Sequence, residues 1–167
     1  VGSEVTDCLR ESHADVRIAV RDVDAVTDRF DEDADLVSFD FARPETWGAT
    51  LADVDAMFLM RPPVVSVDRI QEFVDAAARV GVAHVVLLSL LGAQNLPVMP
   101  HRQIERRIQA TEMTYTFLRA SFFMQNLIEN HLADIVEHDE IFVPAGSGKT
   151  SFVDARDIAA VAALALT

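Results

Sequence analysis

The sequence predicts an α/β fold: a mostly parallel, doubly wound sheet with flanking helices. Three observations predict it. Ala83–Gly92, AHVVLLSLLG, is a short apolar run broken only by His84 and closed at Gly92, as expected of a strand buried on both faces. Other short apolar runs recur at 16–22, 36–39, 56–60 and 115–119. Stretches of helical periodicity or high polarity lie between them. Strands that alternate with helices build a parallel sheet through crossover connections.

Taken in order, Val1, Val5, Cys8 and Leu9 sit at helical spacing, so residues 2–12 form an amphipathic helix. VRIAVRD, residues 16–22, alternates as a strand and ends at Arg21. Residues 24–33 are a charged helix or loop. Residues 36–39 make a short strand ending at Asp40. Pro44 suits the first turn of a short helix over 44–51. Ala56 to Met60 is an apolar strand stopped by Arg61-Pro62-Pro63. Ile70, Phe73, Val74 and Ala77 line one helix face, and Gly81 suits its cap.

After the strand at 83–92, the Arg-rich stretch 101–111 reads as a helix, 115–119 as a strand and 122–134 as a helix. Residues 141–144 and 151–153 are short strands around a Gly146-Ser147-Gly148 turn. Asp154 caps a last helix whose inner face is Ile158, Val161, Ala162 and Ala165. Gly146-Ser147-Gly148-Lys149-Thr150 lacks the earlier Gly and the strand-to-helix setting of a phosphate loop, so it reads as a turn.

With 167 residues, half of them apolar, the chain is long enough for one domain with a real core. The single Cys8 excludes an internal disulfide and a Cys-rich zinc site, and the five His show no metal-ligand spacing. No apolar run is long enough for a membrane-spanning helix and no signal pattern is visible at Val1, so a cytoplasmic protein is expected. The net charge is −13, with Lys149 the only Lys, which argues against affinity for nucleic acid or an anionic membrane. A chain rich in Asp and nearly free of Lys suits a salt-adapted cytoplasm, where screening relieves self-repulsion.

In a parallel sheet the strand ends Arg21, Asp40, Arg61-Pro62-Pro63 and Ser89 lie along one rim. A row of charged and hydroxyl groups there suits a nucleotide lying across the sheet.

The stretches VRIAVRDVDA, SFDFARPETW, ADVDAMFLMRPP, AARVGVAHVVLLSLLGA, HRQIERRIQATEMTYTFLRASFFMQNL and SFVDARDIAAVA, in this order, resemble the NmrA-like, atypical branch of the short-chain dehydrogenase/reductases. The resemblance implies a Rossmann-like fold over residues 1–167, binding NADP(H) or NAD(H). It also implies a chain incomplete at both ends. Of the family's Gly-rich loop only Gly2 remains, and the family's first strand would pair between the strands at 16–21 and 56–60. Relatives include quinone reductases, isoflavone-reductase-like enzymes and non-catalytic sensors of the cofactor's redox state.

By resemblance, Arg21 pairs with the 2′-phosphate of NADP, which favours NADP(H) over NAD(H), although Asp22 follows directly. Asp40 and Phe41 match the family's adenine contact; a helix cap and a packed Phe are the alternative. Met60, Arg61 and Pro62 match the segment beside the pyrophosphate and nicotinamide ribose, with no role assigned to the Arg61 side chain. Ser89 matches the hydroxyl that orients a substrate carbonyl. His101 occupies the slot of the superfamily's Lys, and Pro97 stands where its catalytic Tyr would be. His101 is then a cofactor contact or a proton donor, with Glu105 one turn on to orient it or to pair with Arg102 or Arg106. Phe122, Phe123 and Met124 would wall the substrate side, and Asn126 matches a family Asn there.

The expected function is hydride transfer to a small electrophile such as a quinone or enone. The alternative is a sensor of NADP(H) that binds a regulatory protein. A sugar-nucleotide epimerase is less favoured, because that chemistry needs the Tyr.

Overall fold

A computed structural model describes residues 1–31, 33–141 and 146–167. The chain runs α1 (Gly2–Glu11), β1 (Arg17–Val20), β2 (Asp35–Ser38), α2 (Trp47–Leu51), β3 (Ala56–Met60), α3 (Val67–Val80), β4 (His84–Leu90), α4 (Pro100–Gln109), β5 (Thr114–Ala120), β6 (Phe122–Phe123), α5 (Asn126–His138), β7 (Phe152–Val153) and α6 (Ala155–Leu166). Every ladder is parallel: β1 with β2, β3–β4–β5 in that order, and β6 with β7. The fold is α/β and Rossmann-like.

Strand β4 organises the layers. Val85 and Leu87 pack with Leu59 of β3 against Ile70, Phe73, Val74 and Ala77 of α3 and Ile104 and Ile108 of α4. Val86 points the other way, against Val5 of α1 and Ala159 and Ala162 of α6. This alternation puts helices on both faces, as period-two side chains require. Two neighbours in the sheet follow it, with Phe117 of β5 on the α3/α4 side and Leu118 on the α1/α6 side.

Between β1 and β3 no ladder forms among the described residues, at the place where the resemblance puts a further strand. The β1–β2 pair is tied in by side chains instead. Phe39, just past β2, packs edge-on to Phe41 and tilted against Phe73, with ring centroids 4.7 and 5.0 Å apart. Arg17 in β1 donates to Asp35 in β2 at 2.8 Å and to the Ala49 and Ala52 carbonyls at the end of α2. Those carbonyls lack intrahelical partners, so the guanidinium satisfies them.

Three expectations are corrected. Residues 122–134 are not one helix. Phe122 and Phe123 form β6 beside β7, with Phe122 edge-on to Phe152 at 5.3 Å and the Met124 N–H donating to the Val153 carbonyl. An aromatic cross-strand pair plus ladder bonds outweigh helix formation there, and α5 starts at Asn126. In α6, Val161 is 51 % exposed, and the buried face is Ala155, Ile158, Ala159, Ala162 and Ala163. Small side chains let α6 lie close to α1, and Val161 falls outside that stripe. Third, Ile141 lies outside any strand; the rest of the expected strand at 141–144 lies outside the described residues.

Candidate functional site

The ends of β3, β4 and β5 build a polar cluster at the carboxyl edge of the sheet. The β4–β5 register sets Ser89 opposite Arg119, and the β3–β4 register sets Met60 opposite Leu88. Ser89 follows Val85 and Leu87 on the α4 side of the sheet. Glu105 sits on α4 between Ile104 and Ile108, both fully buried, so its side chain is carried inward with them. Its carboxylate accepts from the Ser89 hydroxyl at 2.7 Å, from Arg102 Nη1 at 2.9 Å, and from Arg119 Nε and Nη2 at 2.9 and 3.0 Å.

Glu105 is 0 % exposed and Ser89 1 % exposed. Burial alone would raise the Glu105 carboxyl. The hydrogen bonds from Arg119, Ser89 and Arg102, with the Arg119 charge, outweigh it and hold the group at about 2. Arg119 is pushed up in turn by its bonds to Glu105.

His101, in the first turn of α4, is half-buried. Its Nδ1 is buried without a hydrogen-bond partner among the described residues. Burial, then the charge of Arg61, lowers the imidazole from its ordinary value, and Glu105 only partly opposes them. Arg61, the residue after β3, donates from Nη2 to its neighbour Pro63 at 3.2 Å, while its Nε is buried and unpartnered among the described residues. Met60 is exposed and Pro62 half-buried beside it.

The remaining candidates divide. Arg21 is exposed just past β1, with no ion-pair partner among the described residues. Gly2 opens α1 with no heavy atom within 4 Å of where a Cβ would stand. The Asp40 carboxylate caps its own turn, accepting from the Ala42 N–H at 2.8 Å. Phe41 is buried among Phe39, Phe73 and Trp47, as the packed alternative has it, while Asp40 does not cap the helical turn at Pro44. Ser89, expected to face a substrate carbonyl, donates inward to Glu105 instead. Glu105 meets Arg102 and Ser89, with no hydrogen bond to His101.

On the far side of the sheet end, Phe122 is exposed, and Phe123 and Asn126 are half-buried. Gln125 bridges there to α6, donating to Asp154 at 2.8 Å and accepting from the Ala155 N–H at 3.0 Å. Asp154 caps α6 as expected, and its carboxyl is lowered chiefly by Arg156. Tyr115 lies near the amino end of β5, accepting from Gln109 at 3.3 Å, away from the cluster. No group of three His, Cys, Asp or Glu among the described residues could hold a metal. Two open surface depressions lie elsewhere, between α2 and α3 around Trp47 and between α3 and α4 around Arg107.

A parallel sheet with helices on both faces and polar groups gathered at the carboxyl ends of its strands is the architecture of a dinucleotide-binding domain. Comparison with known proteins makes this specific. The chain belongs to the NAD(P)H-binding family, whose model matches residues 1–167. It is similar to an NAD(P)H azoreductase of Xenophilus azovorans, 36% identical over 174 residues, covering 100% of this chain and 60% of the relative. Its fold matches the Citrobacter sp. triphenylmethane reductase complexed with NADP(H), with a TM-score of 0.85 at 23% identity, over 99% of this chain and 61% of that one. It also matches an Escherichia coli NADPH-dependent quinone oxidoreductase complexed with NADPH, with a TM-score of 0.86 at 22% identity, over 99% and 61%. The chain thus spans about three fifths of the length of these proteins. No helix of the described residues is long and apolar enough to cross a membrane.

Proposed function

We propose that residues 1–167 are the cofactor domain of an NmrA-like, NADP(H)-dependent oxidoreductase that reduces a small electrophile such as a quinone, an enone or an azo compound. The observation that carries this is the match to the azoreductase along the whole chain. The residues present fit the cofactor. Among the described residues Arg21 has no ion-pair partner and would read the 2′-phosphate of NADP, Gly2 leaves open space at the start of α1, and Arg61 and His101 each hold an unpartnered nitrogen.

Gly2, Arg21, Asp40, Met60, Arg61, Pro62 and His101 would hold the dinucleotide, with Phe41 and Ser89 supporting from beneath. The bound nicotinamide supplies the hydride. The protein's part is to position, orient and exclude water, and Phe122, Phe123 and Asn126 flank the space for the electrophile. Burial and the neighbouring Arg61 favour the neutral form of His101, so water, rather than imidazolium, delivers the proton to the reduced atom.

Titration of the full-length protein with NADPH, NADP, NADH and NAD, followed by NADPH consumption with a quinone and azo panel, tests the reading. Tight binding with turnover supports it; binding of none of the four removes it. One observation favours a second reading, a redox sensor with a regulatory protein partner. Tyr115 is remote from the carboxyl ends of the strands and Ser89 donates inward, leaving no hydroxyl positioned to donate a proton among the described residues. A sensor would bind NADP and NADPH with different affinity and consume neither.

Arg21→Ala separates the two cofactors. It should weaken NADP binding about tenfold or more, the scale of a lost charge-assisted contact, and leave NAD within about twofold. Equal weakening of both removes Arg21 from the 2′-phosphate.

A further inference from the structure

Among the described residues, α5 is the one α-helix without a buried side chain. Its inward row, Leu127, His131 and Ile135, is only half-buried. On the next face round, Ile128, Leu132 and Val136 are 66, 51 and 71 % exposed. They recur every four residues, so they form one apolar ridge on the solvent side. At about 1.5 Å of rise per residue the ridge is about 12 Å long. A helix that only roofs a core carries polar groups on its outer side. This one keeps a second apolar row there.

Charge says what fits the ridge. Residues 120–148 contain no Lys or Arg, and their carboxylates are Glu129, Asp134, Glu137, Asp139 and Glu140. Glu129 stands directly beside the ridge. Glu137, Asp139 and Glu140 gather at the end of the helix, where the backbone dipole is itself negative. Of the five, only Asp134 has an ion-pair partner among the described residues, His131 at 3.7 Å. The ridge is therefore edged by uncompensated negative charge. A second copy would set the same carboxylates against each other, and an anionic lipid surface would be repelled. A helix with its own apolar row and Lys or Arg beside it matches both the ridge and its edge.

We propose that the Ile128–Leu132–Val136 ridge of α5 is a docking surface for an amphipathic, Lys/Arg-flanked helix of a partner protein. The inference goes beyond the reductase reading and does not rest on it, since an enzyme and a sensor could both carry the surface.

The first test is access. In the full-length protein with Cys8→Ser, Ile128→Cys should react with a maleimide nearly as fast as it does in urea. Protection that grows with protein concentration assigns the ridge to a second copy. Protection independent of concentration assigns it to the protein's own chain. Either result overturns the proposal. The second test is binding, read by the fluorescence anisotropy of a labelled synthetic peptide with Leu at helical spacing and Lys at the other positions. Two control peptides carry the same residues in scrambled order, or Glu in place of Lys. Saturable binding of the first peptide alone is expected. Leu132→Ala should weaken it about tenfold or more, the scale of a lost buried leucine side chain. Glu129→Gln with Glu137→Gln should weaken it too and make it less sensitive to salt. Leu164→Ala, on the exposed side of α6, should leave it unchanged. No binding overturns the surface. So does equal binding of the scrambled peptide, or binding indifferent to both the Leu132 and the Glu variants, because the chain's overall negative charge would then be responsible.

Discussion

Glu105 shows what one buried charge does for this strand end. Removing it leaves Arg102, Arg119 and Ser89 without their shared acceptor, and breaking a buried ion pair from one side costs about 3 kcal/mol or more. Arg102 and Arg119 are partly exposed and can turn to water, which places Glu105→Ala at the lower end of that range. The sign with pH is fixed by the shift. The folded state holds the carboxyl at about 2, below its ordinary 4.5. Its contribution is therefore complete above pH 4.5 and fades as pH falls toward 2. Urea unfolding read by Trp47, the chain's one tryptophan, should show a wide gap between wild type and Glu105→Ala near neutrality and a narrower one at about pH 3. A gap that stays constant would mean packing, not charge, is what Glu105 provides. Sequence alone did not reveal this cluster. The pairing of Glu105 with Arg102 is one of the alternatives the sequence offers and is present, but its burial and its bonds to Ser89 and Arg119 are not legible, because Arg119 lies 14 residues away on another element. The available cues were Ile104 and Ile108 flanking it, and Arg119 sharing the alternating face of Tyr115 and Phe117.

Helix α3 marks the other extreme of legibility. Its apolar face and its stop at Gly81 are local, and both are where the sequence puts them. Ser66 accepts from the Arg69 N–H at 3.3 Å, and Gly81 ends the helix at φ +98° with no heavy atom within 4 Å of a Cβ position. Gly81→Ala therefore meets no clash, and its cost is the left-handed backbone alone, about 1 kcal/mol. Ser66→Ala loses a cap worth about 1 kcal/mol. The sites lie at opposite ends of a 14-residue helix, so the double variant should lose about 2 kcal/mol in urea unfolding. A double loss far below the sum would show that one end frays independently of the core. Strand β6 explains why other elements were missed. Two residues carry no alternation, and their partner, β7, is 30 residues further along. Such pairing is decided by tertiary contact, as is the turning of Val161 away from the α6 interface.

At the scale of the molecule, charge is the unusual quantity: 27 acidic groups against 14 basic ones. Two electrostatic effects oppose each other as salt rises. Ion pairs weaken, but those seen here, such as Arg69–Glu72 and Arg107–Asp75, are largely exposed and worth under about 1 kcal/mol each. Repulsion among the excess carboxylates weakens too, and it grows with the square of the net charge. Asp24, Asp28 and Asp33 are exposed and crowd one loop with no ion-pair partner among the described residues. The screening length falls from about 10 Å at 0.1 M to about 3 Å at 1 M. Relief of repulsion should win, raising the thermal midpoint in KCl by at least about 3 °C, or about 1 kcal/mol for a chain of this size. Salt also strengthens apolar burial, so a control is needed. The triple variant Asp24→Asn, Asp28→Asn, Asp33→Asn carries less repulsion with the same core. It should start more stable at low salt and gain less from KCl than wild type. An equal gain in both proteins would assign the salt effect to the apolar core, and no gain in wild type would remove the salt-adapted reading of its composition.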